Sequence, residues 1–413
     1  MNSDVLSHVF KTVIDDDPSS LPAIRAVNRE WFETADNTPR LWSKFDLHRK
    51  IHFTDPAYAR LHIQNAGGIP LDITITLPDD VSYKDNIPVI SELRNAVNKF
   101  KSLVIDVPFH EAWQVFVSGI GEGQAAPLLE RLVLKVKDDV DDVANNGPYT
   151  TLSTALTPSP KLTDLQLPAW PLLAHPPPQL STVTTLTFDT PFTGLDIPAL
   201  FPIIQAATHL EHFKFKADDM GAEIDPYFSN PISVPHLRTV DVTTPGYGLA
   251  FLRSVRAPLL THIRLDGYRE IVPDEGWELD DWGVDISRPA SEILAHLSIH
   301  APNIRSLELK YVPFEHPHDD WNRILDGRAF PLLEKLTLER SNIPDSALIA
   351  SAGKYPNIKE LRFLNCKYIS SHGVRRFIEG LEHNDFGLMV EGCPAISQEE
   401  IGSLSKIVRV IST

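Results

Sequence analysis

The 413-residue sequence predicts an α/β fold, in which short parallel strands alternate with helices along a repeated unit. Three observations lead to this prediction. A six-residue frame, apolar-x-x-apolar-x-apolar, recurs along most of the chain. A proline stands two positions before many copies of the frame. Residues 1–47 lack the frame and instead have apolar residues at the three- and four-residue spacing of helices.

The frame predicts one short strand for each repeat. Its central apolar residues, from Ile73 in a partial copy to Leu388 in another, are about 29 residues apart on average, a period found in repeat proteins. Alternate strand residues are expected to face the core, and the residues between them to lie on an exposed sheet surface. The complete copies begin at Phe100, Leu129, Leu162, Val183, Leu210, Leu237, Leu260, Ile304, Leu333 and Ile358.

The prolines mark where each predicted strand starts. Proline fixes its own φ, lacks a backbone donor and disfavours helix at the residue before it, so it separates a helical or irregular segment from an extended one. Seven of the ten complete copies have this proline: Pro127, Pro160, Pro235, Pro258, Pro302, Pro331 and Pro356.

This pattern resembles the leucine-rich-repeat family. The segment from Ile358 to Val374 is most similar to its cysteine-containing subtype, with Cys366 just after the predicted strand, and Cys393 has the same place one repeat later. The resemblance implies a horseshoe-shaped solenoid over residues 48–413 with a parallel sheet on its concave side. The equal phase of the two cysteines favours small inward-facing residues. The expected reducing compartment favours free thiols.

One interval between frames is longer than the others and predicts an insertion at about residues 267–289. It contains Trp277, Trp282 and an excess of acidic residues. A loop of this length and composition fits a partner-binding segment, or a solvated insertion whose tryptophans pack on the repeats.

Residues 1–47 predict a small helical domain. Apolar residues from Val5 to Ile14 follow helical spacing, and a second helix is expected from Ser20 to Ala35. Asp4-Val5-Leu6-Ser7-His8-Val9-Phe10, Val27-Asn28-Arg29-Glu30-Trp31 and Thr38-Pro39-Arg40-Leu41-Trp42 resemble the F-box motif, and Met1-Asn2 stand where that family has Leu-Pro.

The F-box resemblance implies docking on a Skp-family adaptor and, through it, on a cullin. The residues expected to serve this contact divide between the adaptor surface and the core of the motif, and spacing alone leaves that division open. They are Met1, Val5, Leu6, Val9, Phe10, Ile24, Val27, Trp31, Leu41 and Trp42.

Composition and motifs narrow the possible functions. The net charge of −17 disfavours nucleic acid and anionic membranes as partners, and two cysteines exclude a disulfide scaffold. Gly119-Ile-Gly121-Glu-Gly123 lacks the spacing of a phosphate loop and predicts a turn, and His316-Pro-His318-Asp319-Asp320 predicts a solvated loop. No catalytic, cofactor or metal site is expected. The location is expected to be intracellular and reducing.

The resemblances together imply the substrate-recognition subunit of a cullin–RING ubiquitin ligase, which does no bond chemistry itself. One alternative is a repeat scaffold whose N-terminal helices only cap the repeats, and a weaker one is an enzyme built on the Trp277–Trp282 insertion. An unknown protein substrate would bind the exposed strand residues Lys214, Lys216, Asp241, Arg264, Asp266, Glu308, Lys310, Glu339 and Arg362.

Overall fold

The computed structural model describes residues 3–79, 81–82, 87–108, 110–137, 154–168, 178–190, 197–217, 231–243, 252–267, 287–312, 314, 316–381, 386–405 and 409–410. The chain forms two compact units, Met1–Pro191 and Phe192–Thr413. The expected domain boundary near residue 47 does not separate them, because residues 1–47 belong to the first unit. In both units strands and helices alternate, so the fold is α/β.

The first unit begins with three helices and continues into a parallel sheet. The helices are α1 (Ser3–Asp16), α2 (Leu21–Ala26), α3 (Arg29–Asp36), α4 (Lys50–Thr54), α5 (Ala57–Asn65), α6 (Pro88–Asn95) and α7 (His110–Gly121). The strands pair in chain order: β1 (Lys44–Leu47), β2 (Leu71–Thr76), β3 (Phe100–Val107), β4 (Arg131–Val136), β5 (Asp164–Leu167) and β6 (Thr185–Thr190).

The second unit repeats the same arrangement. Its sheet is formed by β7 (His212–Ala217), β9 (Thr239–Thr243), β11 (His262–Asp266), β12 (Ser306–Lys310), β13 (Lys335–Glu339), β14 (Glu360–Leu364), β15 (Gly387–Glu391) and β16 (Arg409–Val410), and β8 (Ile232–Ser233) pairs with β10 (Val255–Arg256). The helices are α8 (Ile197–Ala206), α9 (Ser287–His300), α10 (Pro317–Ile324), α11 (Asp345–Ala350), α12 (Ser371–Glu379) and α13 (Gln398–Leu404).

The predicted frames are confirmed as strands, and their central residues lie in register. In the first unit Ile73, Leu103, Leu132, Leu165 and Leu186 are direct neighbours across five strands. The second unit has an equivalent row of buried residues that share this position, namely Phe213, Val240, Ile263, Leu307, Leu336, Leu361 and Leu388. Each strand thus contributes one buried residue of the row to the core.

The predicted prolines occupy the turns that lead into the strands. In six copies the residue before the proline accepts a hydrogen bond from the first residue of the frame, as Leu129 N–H donates to Ala126 O across Pro127. The proline is therefore the second residue of a turn, where its fixed φ is favourable. The equivalent donors are Leu162, Leu237, Leu260, Leu333 and Ile358.

The residues after four successive strands share a left-handed backbone. Tyr311, Arg340, Asn365 and Gly392 have φ values of 50°, 48°, 56° and 64° and follow β12, β13, β14 and β15. The first three donate their backbone N–H groups to the carbonyl oxygen of the last residue of the next strand, with N–O distances of 2.7–3.0 Å. This hydrogen bond offsets the cost of a left-handed conformation at residues that have a side chain.

The expected single helix from Ser20 to Ala35 is wrong, because the chain breaks at Asn28. The Asn28 side chain accepts a hydrogen bond from Trp31 N–H at 2.9 Å and caps a new helix, α3. Asparagine is a favoured N-cap, and it competes with continuation of the preceding helix.

Two segments predicted as a turn and a loop are partly helical: the predicted turn is found at Gly123, which has a φ of 67°, but the residues before it belong to α7. Gly119 and Gly121 end α7, where a Cβ at Gly119 would lie 2.6 Å from Ile90 Cγ2, so close helix packing requires glycine there. The segment His316–Asp320 enters α10, with Pro317 in the first turn and two acidic residues favourable to the helix N-terminus.

The remaining expectations concern the insertion, the cysteines and membranes. Residues 268–286, including Trp277 and Trp282, lie outside the described residues, and residues 287–289 begin α9. Cys366 and Cys393 are buried free thiols, as expected. Among the described residues, no helix combines the length and apolar character needed to cross a membrane.

Candidate protein-interaction surfaces

Helix α1 carries two apolar stripes with different environments. Leu6, Phe10 and Ile14 are buried, and they repeat every four residues. The residues one position earlier also repeat every four residues but are exposed: Val5 by 51%, Val9 by 47% and Val13 by 38%. Because α1 packs on α3 through its buried stripe, the valines form an uncovered apolar surface.

Helices α2 and α3 add two exposed apolar side chains. Val27, just after α2, is 54% exposed and Phe32 on α3 is 42% exposed. The Arg25 guanidinium lies 4.6 Å from the Phe32 ring centroid and 4.9 Å from that of Trp42, and it binds Asp36 at 2.8 Å. Arg25 therefore holds Phe32 in place while leaving part of its ring exposed.

The structure divides the residues expected to bind an adaptor. Val5, Val9 and Val27 are exposed, and Trp31 is half-buried with its ring 4.9 Å from that of Phe10. Met1 lies outside the described residues. The others are corrected to core residues, since side chains exposed by 6% or less have no surface to offer: Leu6, Phe10, Ile24, Leu41 and Trp42.

Trp42 illustrates why this core is closed. Its indole N–H donates to Ala35 O at 3.0 Å, and its ring packs edge-on against His62 at 5.1 Å between centroids. Trp42 thus joins the N-terminal helices to α5 rather than facing a partner.

Sequence reasoning missed Val13 and Phe32 as surface residues. Val13 continues the four-residue spacing of Val5 and Val9, a signal that was present in the sequence. Phe32 had no such signal, because the break at Asn28 changes which face of α3 is exposed. We call Val5, Val9, Val13, Val27 and Phe32 the exposed apolar set.

The second candidate surface is the polar side of the second unit's sheet. One row runs Lys214, Asp241, Arg264, Glu308, Thr337 and Arg362 in direct register across β7 to β14. A second row, two residues further along each strand, contains Lys216, Thr243, Asp266, Lys310 and Glu339. All nine residues expected to bind substrate lie in these two rows, which we call the charged strand surface.

Most of these charges pair with each other rather than standing free. Asp241 contacts Lys214 at 3.7 Å and Arg264 at 3.9 Å, and Arg264 contacts Glu308 at 3.2 Å. Lys310 links Asp266 at 3.7 Å to Glu339 at 3.6 Å. Most of these contacts are longer than a hydrogen bond, so the groups keep hydrogen-bonding capacity.

Asp266 lies at the centre of this network and is 5% exposed. Burial raises the pKa of the Asp266 carboxyl, and the Lys310 and Arg264 charges oppose that increase. Its Oδ2 contacts Arg264 at 3.9 Å as well as Lys310. A buried carboxylate between two cations fixes the geometry of both cations.

The edges of this surface have further partners. Arg362 donates to Glu360, which also contacts Lys335 at 3.4 Å. Tyr311 lies beside the second row, with Arg340 4.9 Å and Lys310 5.4 Å from its ring centroid. Sequence reasoning missed Tyr311 and Arg340, since they follow the strands and lie outside the apolar frame.

The described part of the chain assembles no cluster of three or more His, Cys, Asp or Glu side chains that could hold a metal ion. His318 is on α10, near the Asn322 side chain at 3.0 Å, and Asp320 instead accepts a hydrogen bond from Ser291 at 2.8 Å.

Comparison with known proteins identifies no family. No protein-family model matches the chain, and no curated protein matches it. Among solved structures, the chain is similar to the crystal structure of a protein from Bacteroides fragilis, with 11% sequence identity, a TM-score of 0.35 and coverage of 80% of this chain and 72% of that one. A likeness at that level carries no argument about function.

Proposed function

We propose that the chain is the substrate-recognition subunit of a cullin–RING ubiquitin ligase. Its N-terminal helices dock on a Skp-family adaptor, which connects it to a cullin, and its repeats hold the substrate protein. The observation that carries the proposal is the exposed apolar set on helices that already have a closed core.

The exposed valines of α1 are the centre of this argument. Val5, Val9 and Val13 line one side of a helix whose buried stripe satisfies the packing of the unit. Isolated apolar residues on a surface are common, but an aligned stripe on one helix favours a protein partner. The F-box resemblance supplies the identity of that partner.

The repeated architecture supports the second half of the proposal. Parallel strands in register and prolines in the turns before them support a stack of similar repeats. We therefore propose that residues 48–413 form a leucine-rich-repeat solenoid with the charged strand surface as its substrate-binding side.

The chain's contribution would be positional. Holding a substrate and a ubiquitin-loaded enzyme in one assembly raises the effective concentration of substrate lysines near the reacting thioester. This role requires two interaction surfaces and no catalytic group in the chain itself.

The test is co-purification of the full chain with a Skp-family adaptor, comparing wild type with the double variant Val5→Glu, Val9→Glu. The two introduced carboxylates would lose their hydration when the adaptor covers the exposed stripe. We therefore expect the affinity of the variant for the adaptor to fall at least about tenfold. Both side chains are exposed, so the fold should be unaffected.

The matched control is Ile299→Glu on α9, because Ile299 is also exposed, by 72%, but lies far along the chain. It should leave adaptor binding unchanged. If the well-folded wild-type chain binds no adaptor, the ligase proposal is lost and the scaffold with a helical cap takes its place. That alternative has its own support, since Trp42 ties the N-terminal helices to α5 and Lys44 ties α1 to β1.

A further inference from the structure

A polar recess opens on the sheet of the first unit, and none of the exposed apolar set lines it. Its volume is about 420 Å³, within the range of roughly 300–1,000 Å³ found for small-molecule sites. Residues from the end of α1 and from the first four strands line it. Neither the exposed apolar set nor the charged strand surface includes a residue of this recess.

The floor of the recess is made by small side chains between longer ones. Asp72, Ser102 and Arg131 are direct neighbours on β2, β3 and β4. Because Ser102 is short, the Asp72 and Arg131 side chains stand on either side of an open space. Neighbouring strands are about 4.8 Å apart, so these two residues are separated by roughly 10 Å at their Cα atoms.

A β-bulge brings a further cation to this space. Leu71 pairs with Phe100 but Asp72 pairs with Ser102, so Lys101 is an extra residue in β3. The bulge is anchored because Lys101 O accepts a hydrogen bond from Glu130 N–H at 2.8 Å. Bulges redirect side chains and are enriched beside binding sites. This one places Lys101 and Ser102 together at the recess.

The Asp72 carboxylate is the group that lacks a partner. Among the described residues it accepts no hydrogen bond and forms no ion pair within 4.0 Å. Burial raises the pKa of the Asp72 carboxyl, and the charges of Lys101 and Lys44 oppose that rise. The Asp72 carboxylate lines the open recess, so a cationic group bound beside it would replace solvent as its partner.

The cations of the recess are only partly engaged. Lys44 Nζ donates to the backbone carbonyl of Asp15 at 2.6 Å, so its charge is not neutralised there. Lys101 contacts Glu130 at 3.9 Å, which is too long for a hydrogen bond, and Arg131 contacts Asp164 at 3.1 Å. Lys101 and Lys44 therefore favour an anionic group in the same space.

The balance of charges selects between ligand classes. Three cations and three carboxylates line the recess: Lys44, Lys101, Arg131, Asp15, Asp72 and Glu130. A purely cationic ligand would meet the repulsion of Lys44 and Lys101, and a purely anionic one that of Asp72. A molecule that carries both charges satisfies both groups.

We propose that this recess binds a small zwitterion of the size of an amino acid or dipeptide. Its ammonium group lies against Asp72, and its carboxylate lies against Lys101 and Lys44. The Ser102 hydroxyl forms the floor between the two charged ends. This inference does not rest on the proposed ligase function.

The test uses the full chain and a panel of the twenty α-amino acids and dialanine, screened by thermal shift and then by calorimetry. We expect at least one of these probes to bind. Its N-acetylated analogue, which lacks the cation, and its amide analogue, which lacks the anion, should each bind at least about tenfold more weakly.

Variants identify the site. Asp72→Asn and Lys101→Met should each weaken binding of the zwitterion by about tenfold or more. The matched controls Asp106→Asn and Lys135→Met lie on the same strands, four residues after Ser102 and Arg131, and should leave binding unchanged.

Three results would overturn the inference: no panel member binds, the singly charged analogues bind as well as the zwitterion, or both recess variants bind normally. Both variants are expected to fold, because Asp72 is only half-buried and Lys101 is exposed. Adaptor co-purification is a separate readout, so failure of one proposal leaves the other intact.

Discussion

At the scale of single residues, the most consequential environment is that of His62. It is 1% exposed, its ring lies 4.8 Å from that of Phe45, and its Nδ1 lies 3.2 Å from Trp42 O, where a neutral imidazole donates. Burial lowers the pKa of His62 from its ordinary 6.5 to about 4. Burial also lowers the pKa of His52, and the charges of His48 and Arg49 lower it further, to about 4. The Nδ1 of His52 accepts the N–H groups of His48 and Arg49.

These histidines predict loss of stability in mild acid. Between pH 6.5 and about 4 the unfolded chain binds more protons than the folded one, so the free energy of unfolding falls as pH falls through that window. The free energy of unfolding changes by about 1.4 kcal/mol for each pH unit in this window. His62 therefore makes it about 3 kcal/mol larger above pH 6.5 than below about pH 4.

The measurement is urea unfolding of wild type and His62→Gln from pH 7 to pH 4. The glutamine amide can still donate to Trp42 O but does not titrate, so the variant should show a shallower decline. His8→Gln, on the exposed side of α1, should keep the wild-type decline. Identical curves for wild type and His62→Gln would contradict this account.

At the scale of elements, the contact between α11 and α12 depends on the absence of a side chain. A Cβ at Gly373 would contact Asp345 Oδ1 and lie 2.7 Å from its Cγ. The Asp345 carboxylate also accepts hydrogen bonds from Ser370 N–H, at 2.8 Å, and from the Ser370 hydroxyl. One carboxylate therefore binds the start of the next helix, and Gly373 gives it room.

The substitution Gly373→Ala should destabilise the chain by about 1 to 3 kcal/mol, because overpacking outweighs the gain of about 1 kcal/mol in helix propensity. Gly402→Ala in α13 is the matched control, since no atom lies within 4 Å of its Cβ position. There the same change should stabilise by about 0.5 to 1 kcal/mol. Thermal unfolding of the two variants should thus shift in opposite directions, and a common direction would disprove the packing argument.

At the scale of the whole molecule, the chain presents an apolar surface on its N-terminal helices and a charged surface on the sheet of the second unit. The formal charge of −17 keeps it away from polyanions, but the charged strand surface contains both signs in alternation. We expect a polar partner of mixed charge there, as part of the proposed substrate binding.

The double variant Lys214→Glu, Lys216→Glu tests that expectation. The first change places a carboxylate beside Asp241, where Lys214 now lies at 3.7 Å, and removes one end of the ion-pair network. Substrate capture by the full chain, measured in a quantitative pull-down, should fall several-fold because the surface becomes more acidic.

The matched control for that variant is Lys359→Glu, which contacts Glu334 at 2.7 Å outside the charged strand surface. It makes the same Lys→Glu change at one position, which is half the charge change of the double variant, and should leave capture unaffected. Unchanged substrate capture by the Lys214, Lys216 variant would show that this surface does not bind the substrate. Adaptor binding would still be tested separately by the Val5, Val9 variant.

The sequence by itself determined where the strands lie and how they align. The spacing from Ile73 to Leu388 is a property of neighbouring residues, since a short strand must bury every second side chain, and equal frames bury them in register. The turn prolines such as Pro127 were predictable for the same local reason, a fixed φ.

Only the tertiary structure decided which residues face outward and which charges meet. On α1 the series Val5, Val9, Val13 and the series Leu6, Phe10, Ile14 have the same period, so spacing alone cannot rank them, and packing on α3 buries the second. Charge pairs such as Arg264 and Glu308 join residues 44 positions apart, and the recess depends on a bulge at Lys101. These features arise from contacts between distant segments, which no local pattern encodes.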